Sequence, residues 1–296
     1  MVENKEKKDI WSEWLKRRRF GDASHQAYAM EQYKKIAIEI VEKAKIFESA
    51  KVLDIGSGDG LVGLTALPKL GDNGKLILSD ISEAALAIPK EIFNEENIQD
   101  KRVEFLVARV ENLSAIQDCS IDRVLIRSVL LYVDDKQTAF KEIYRVLKTG
   151  GRVAIMEPIN QRMVEFQMGL FRGYSLESEP LLSIKSLISK ITEKSRSKGE
   201  ESLLGYDEHD LVKLATKAGF AEINLEYTLS RTSHSGYPSW EFFFDSAPNP
   251  HARSLHEIMS DTLSLEEFKR VESIFKNVIQ QPAIRLLSLA MLILEK

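Results

Sequence analysis

Lys51-Val52-Leu53-Asp54-Ile55-Gly56-Ser57-Gly58-Asp59-Gly60 is the stretch whose reading decides the fold. A short β-rich run passes directly into three closely spaced glycines. The apolar segment Leu61 to Leu70 follows at helical spacing, and the turn Gly71-Asp72-Asn73-Gly74 closes the unit. Upstream, Ile36, Ile40, Val41 and Ala44 recur at helical spacing within Tyr28 to Phe47, which predicts an amphipathic helix. Downstream, the pattern predicts strand Lys75 to Ser79, helix Glu83 to Phe93, strands Val103 to Val107 and Asp122 to Ile126, helix Lys136 to Leu147, and strand Arg152 to Met156. Strands that alternate with helices imply a parallel, doubly wound sheet, because parallel neighbours need crossover connections. Lys148-Thr149-Gly150-Gly151 is read as the glycine stop of the helix before it.

The alternation halts between Asn160 and Gly205, where Leu181, Leu182, Ile184, Leu187, Ile188 and Ile191 stand at helical spacing in a basic background. It resumes with helix Asp207 to Ala218 and strand Ile223 to Leu229, then halts again before helix Leu265 to Ile279 and a last strand, Ile284 to Leu294. The expected organisation is an N-terminal helical cap (1–49), a core (50–157), a helical insertion (158–206), and a C-terminal part of the sheet (207–296) carrying a lid-like insertion at about 230–281. In that insertion Trp240, Phe242, Phe243 and Phe244 read either as an apolar acceptor pocket or as core beneath a long loop, the latter slightly favoured.

A glycine turn between strand and helix lets backbone approach a ligand closely and points helix N-terminal N–H groups at its charged end. Asp80, ending the second strand, can accept both hydroxyls of a ribose, or it can cap the helix that starts near Ser82. With its flanking strand, the D-x-G-x-G-x-G run resembles the first motif of the class I, Rossmann-like S-adenosylmethionine-dependent methyltransferases. Ala108-Arg109-Val110-Glu111-Asn112-Leu113, Asp122 to Leu130, and Tyr144-Arg145-Val146-Leu147-Lys148-Thr149-Gly150-Gly151-Arg152 resemble further segments of that family. The resemblance covers residues 50 to 157. It implies an α/β, Rossmann-like, seven-stranded, mostly parallel sheet with helices on both faces and helical cap insertions. It also implies S-adenosyl-L-methionine as cofactor and S-adenosyl-L-homocysteine as product. By the same resemblance Asp54, Gly56, Ser57, Gly58, Gly60, Asp80, Ile81, Val110, Glu111, Arg127 and Ser128 are expected to bind the cofactor. One position departs: many relatives carry aspartate where this chain has Arg109, and an arginine cannot accept a bond from the adenine amino group. The backbone of Val110 or the carboxylate of Glu111 is then implied to contribute there, unless Glu111 only complements a helix dipole.

Other chemistries are weighed against this. With 44% hydrophobic and 29% charged residues the composition is that of a globular protein. A net charge of −4 makes nucleic acid an unlikely partner. No apolar run is long enough for a membrane span, the charged start from Met1 to Lys8 is unlike a secretory signal, and a cytoplasmic setting is expected. The single cysteine, Cys119, rules out an internal disulfide, and the five histidines form no helical ligand pair, so no metal is expected. Tyr132-Val133-Asp134-Asp135-Lys136 matches the Tyr-x-x-x-Lys pattern of nicotinamide oxidoreductases, but the glycines do not read G-x-G-x-x-G. Lys16-Arg17-Arg18-Arg19 is read as a solvated helix face, with contact to phosphates or to the cofactor's methionyl carboxylate as alternatives. Arg127-Ser128-Val129-Leu130 stands where base-directed methyltransferases carry an Asn/Asp-Pro-Pro turn, which favours a small-molecule acceptor. The expected enzyme (EC 2.1.1 class) methylates an O, N or C atom of a small, partly apolar metabolite, as a monomer or homodimer. An RNA or protein methyltransferase, or a non-catalytic cofactor-binding regulator, is the alternative. A hydroxyl or carbon acceptor needs a base, and Tyr132, His25, His234 and His251 are the candidate catalytic residues.

Overall fold

Ala37, Ile40, Val41 and Ala44, spaced along one face of a helix, are buried against the central sheet, and this stripe docks the helix Gln26–Ala44 in place. The structure is a computed structural model, and it describes residues 9–19, 26–95, 100–167, 169–195 and 203–296. In chain order the helices are α1 (Ile10–Glu13, continued as a π-turn over Trp14–Arg18), α2 (Gln26–Ala44), α3 (Leu61–Ala66), α4 (Glu83–Glu95), α5 (Lys136–Val146), α6 (Asn160–Phe166), α7 (Lys185–Ser195), α8 (Glu208–Ala218), α9 (Trp240–Asp245), α10 (Leu255–Thr262) and α11 (Leu265–Val278). The strands are β1 (Lys51–Ile55), β2 (Lys75–Asp80), β3 (Val103–Val107), β4 (Ile121–Arg127), β5 (Leu147–Pro158), β6 (Leu170–Phe171), β7 (Tyr174–Ser175), β8 (Glu222–His234) and β9 (Ala283–Glu295).

Seven strands form one sheet in the order β3-β2-β1-β4-β5-β9-β8, and β6 and β7 form a separate hairpin. The first five strands are parallel, and β9 runs antiparallel to both β5 and β8. The order in which strands are added to the sheet reverses between β1 and β4, and in sheets of this kind ligands bind outside the carboxyl ends of the strands at that switch point. Two apolar clusters cover the two faces of the sheet. A third joins α7, α9, α10, α11 and the small hairpin, so segments from both expected insertions share one core. Phe243 and Phe244 are buried inside it and Trp240 packs against it, so these three are core, whereas Phe242 borders a cavity.

Several boundaries differ from expectation. Helix α5 has no glycine stop: its cap is Leu147 in an extended conformation, and β5 begins there. The glycines lie inside the early part of β5, where a Cβ on Gly151 would come within 2.7 Å of the Lys148 carbonyl. Strand β8 runs on to His234, because β9 offers an unbroken ladder from Glu295 back to Ala283. No helix among the described residues is long and apolar enough to cross a membrane.

Candidate active site

The loop after β1 passes through the left-handed region three times, at Gly56 (φ 65°), Gly58 (φ 54°) and Gly60 (φ 80°). Such angles strain any residue with a Cβ, and a Cβ on Gly56 would also stand 2.3 Å from the Val129 side chain. Two bonds fasten the loop to β2: Ser57 N–H donates to the Ser79 carbonyl and Gly58 N–H to Asp80 Oδ2, both at 2.9 Å. Beneath it the buried Asp54 accepts from Gly63 N–H at 2.8 Å, and loss of solvent pushes its carboxyl up to about 7. Asp54 therefore braces the loop from below, and the cavity is lined by its neighbours.

Asp80 faces that cavity, and burial raises its pKa. It accepts from Ser82 N–H at 2.9 Å, but the cap of α4 is Ser82 itself, whose hydroxyl accepts from Ala85 N–H at 2.9 Å and donates to Asp9 Oδ1 at 2.8 Å. Half-exposed Ile81 borders the cavity beside it, across from Ala108, Val110 and Glu111. Arg109 pairs with Glu111 at 3.1 Å. The arginine that departs from the family pattern thus holds the neighbouring carboxylate.

Glu157, at the end of β5, is fully buried and accepts three successive backbone N–H groups: Val129 at 2.7 Å, Leu130 at 2.9 Å and Leu131 at 3.2 Å. The Tyr206 hydroxyl adds a fourth bond at 3.3 Å, yet desolvation still pushes the carboxyl up to about 7. These bonds shape the loop after β4, in which Ser128 adopts φ 56° and Tyr132 is turned into the cavity. Burial, and secondarily the charge of Glu157, raises the Tyr132 hydroxyl above its ordinary pKa.

The open side of the cavity, about 370 Å³ in volume, is covered by two distant segments that bind each other. The Trp14 indole N–H donates to the Ala247 carbonyl at 2.8 Å, Ala247 N–H donates to the Arg18 carbonyl at 2.7 Å, and Arg18 reaches the Ala252 carbonyl at 2.9 Å and Glu257 at 2.8 Å. Trp11 meets Tyr132 edge to face, with centroids 4.9 Å apart, and packs on His251. Arg19 is buried, not solvated: it pairs with Asp59 at 3.0 Å and lies 4.1 Å from the centre of the Tyr33 ring. Arg127 approaches the same ring from 5.3 Å, and its buried Nε makes no hydrogen bond among the described residues. The buried hydroxyl of Ser57 is likewise unbonded.

The expected residues Gly56, Ser57, Gly58, Asp80, Ile81, Val110, Glu111, Arg127, Ser128 and Tyr132 all line this one cavity, whereas Asp54 and Gly60 shape the loop without lining it. His251 is exposed and packs on Trp11 beside Tyr132, His234 borders a different cavity, and His25 lies outside the described residues. Lys136 donates to the Val133 carbonyl and packs over Tyr206, away from the cavity, so no Tyr–Lys pair faces a ligand. The acidic cluster Asp207, Glu208 and His209 is engaged in the cap of α8 and in a pair with Arg162. Trp14, Tyr33, Asp59 and Asn249 also line the cavity although they were not among the expected cofactor contacts, and so does Arg19, whose run carried a methionyl-carboxylate contact only as an alternative. Asp59 stands inside the glycine motif, whereas Tyr33 and Asn249 reach the cavity from distant segments.

The cradle of left-handed glycines, the carboxylate at the end of β2, the unbonded Ser57 hydroxyl and the unbonded Arg127 nitrogen together fit a nucleoside-bearing, zwitterionic ligand such as S-adenosylmethionine.

Comparison with known proteins agrees with the fold. The model of the ubiE/COQ5 methyltransferase family matches residues 22–234. The ubiquinone/menaquinone biosynthesis C-methyltransferase UbiE of Hahella chejuensis is 30% identical over 182 residues, covering 60% of this chain and 70% of that protein. The Escherichia coli protein of the same name is 29% identical over 189 residues, covering 63% and 73%. Among solved structures, the YcgJ protein of a Bacillus species superposes with a TM-score of 0.54 at 15% identity, over 88% of this chain and 98% of that one.

Proposed function

This chain belongs to the ubiE/COQ5 methyltransferase family and is an S-adenosylmethionine-dependent methyltransferase of small molecules; from that premise we propose that it methylates a ring carbon of an electron-rich, oxygenated aromatic acceptor. Bound S-adenosylmethionine supplies a methyl group already activated on a sulfonium. The work left to the protein is orientation and the exclusion of water. We assign Asp80 to the ribose hydroxyls, Ile81 and Val110 to the faces of the adenine, and Glu111 to its edge. The glycine loop with Ser57 and Ser128 is assigned to the methionyl part, and the Arg127 guanidinium, with Arg19 beside it, to the methionyl carboxylate.

The observation that carries the acceptor reading is the set of rings along the cavity. Trp11, Trp14, Tyr33 and Tyr132 line it, with Arg19 stacked on Tyr33 and Trp14, and the Tyr132 hydroxyl is held in its neutral form. A phenol of raised pKa is a hydrogen-bond donor at neutral pH and not a base. It donates to the oxygen of an ionised phenol, whose ring carbon takes the methyl as the S–CH₃ bond breaks and leaves neutral S-adenosylhomocysteine; the proton on that carbon is then lost to solvent as the ring regains aromaticity. The names of the relatives, which are C-methyltransferases of quinone biosynthesis, agree with such an acceptor. A cytoplasmic location accords with one exposed, unpaired cysteine.

The deciding experiment offers methyl-labelled S-adenosylmethionine together with hydroquinones, catechols, amines and thiols, and locates the label in the product by mass spectrometry and NMR. Carbon-bound label on a phenolic ring is expected. Label on nitrogen or sulfur, or only on macromolecules, overturns the proposal.

A further inference from the structure

A second cavity, of about 700 Å³, lies on the outer strands of the sheet, and Tyr33 borders both it and the first. Much of its lining is apolar: Met156, Leu289 and Met291 from β5 and β9, Met163 from α6, and Leu170 from the hairpin. Arg172, from the hairpin, borders this lining, and Phe243, which holds its guanidinium, lies in the adjoining core. That group donates to the Phe243 carbonyl and packs over the Phe243 ring, 5.2 Å from its centre, but no carboxylate among the described residues pairs with it. A desolvated cation without a counter-ion is costly to keep unless something supplies the opposite charge.

The backbone adds an independent observation. Arg172 (φ 48°) and Gly173 (φ 91°) form the two-residue link between β6 and β7, and both are left-handed. Hairpin turns with two such angles favour Asn or Asp before Gly, because short polar side chains tolerate the conformation. A long arginine at the first position is strained, and such strain gathers at ligand sites, here in a residue that borders a cavity. Around the cavity Arg285 adds positive charge and His234 also lines it, while Lys35 is paired with Glu31 at 3.1 Å. Of the two acids there, Glu226 is paired with Lys43, which leaves Glu39.

We infer that this cavity binds an amphipathic oxyanion, a carboxylate or phosphate monoester on an apolar body, with Arg172 as its counter-ion. As the anchor for the non-reacting end of the methyl acceptor, it rests on the function proposed above, because Tyr33 borders both this cavity and the one assigned to the reacting ring.

The test is calorimetric titration of the full chain with decanoate, decyl phosphate and the uncharged 1,2-decanediol, with S-adenosylhomocysteine titrated in parallel. At least one anion is expected to bind about tenfold or more tightly than the diol, and the tighter of the two identifies the headgroup. Arg172→Gln is expected to lower the anion to the diol's affinity, Arg172→Lys to restore part of the difference, and both to leave S-adenosylhomocysteine binding unchanged. If Arg172→Gln does not fold, Leu289→Trp, which fills the cavity from the sheet, must abolish binding of all three amphiphiles. Equal affinity for anions and diol, no binding of any of them, or an anion preference that survives Arg172→Gln overturns the inference. Those failures with S-adenosylhomocysteine still bound leave the methyltransferase reading intact, whereas loss of S-adenosylhomocysteine binding by the native chain strikes that reading instead.

Discussion

The Ser82 hydroxyl is the cap of α4, and the Asp80 carboxylate, which accepts from Gly58 and Ser82 N–H, keeps further lone pairs for the proposed ribose contact. The sequence left Asp80 either that contact or the cap. Asp80→Ala should weaken S-adenosylhomocysteine binding by about 1–3 kcal/mol in calorimetry. Ser82→Ala should lower thermal stability by about 1 kcal/mol with little change in affinity. The reverse pattern would return the cap to Asp80. Glu157 and Asp54 make a pH prediction. Both are carboxyls raised by burial to about 7, so between their unfolded values and pH 7 the folded chain holds more protons than the unfolded one. Their contribution to stability is therefore complete at low pH, falls as pH rises through that window, and levels off above it. Glu157→Gln should flatten about half of this fall in a series of melting curves. It should also destabilise the fold by about 1–3 kcal/mol, because an amide cannot accept from three N–H groups as a carboxylate does. An unchanged pH slope would remove Glu157 from this role.

Among elements, those with a strict period were legible. β1, β2 and β3, the buried stripe of α2 and the crossover helices follow apolar spacing alone, and the glycines of the β1 loop are demanded by their positive φ. Gly63 was not legible, because its need is steric and lies across the packing interface. A Cβ there would stand 2.2 Å from the Leu78 side chain and 2.9 Å from Asp54 Oδ2. Gly63→Ala should accordingly cost about 1–3 kcal/mol, seen as a lower urea midpoint at constant slope. Helix α10 was legible but passed over: Ser254 and Glu257 form the same reciprocal cap that Ser264 and Glu267 form on α11. The far end of β8 was not, since Ser230 to Ser233 carry no strand pattern and pair only because β9 lies beside them.

For the whole molecule, the cover over the cofactor cavity depends on contacts between segments 233 positions apart, the bond from Trp14 to Ala247 being one. If that cover governs ligand exit, Trp14→Ala should speed S-adenosylhomocysteine dissociation about tenfold in stopped-flow measurements, equivalent to ~1.4 kcal/mol. An unaltered rate would show that the ligand leaves by another path. The sequence by itself determined the doubly wound sheet and the glycine loop, because both are written in the spacing of neighbouring residues and in backbone angles that glycine adopts without strain, while the class of cofactor came from the resemblance of those segments to a known family. Tertiary structure alone decided that Arg19 is buried against Tyr33, that the two insertions share one core, and that Arg172 borders a second cavity. Those outcomes arise where distant segments pack together, and no local pattern of side chains records which partner a distant surface will meet.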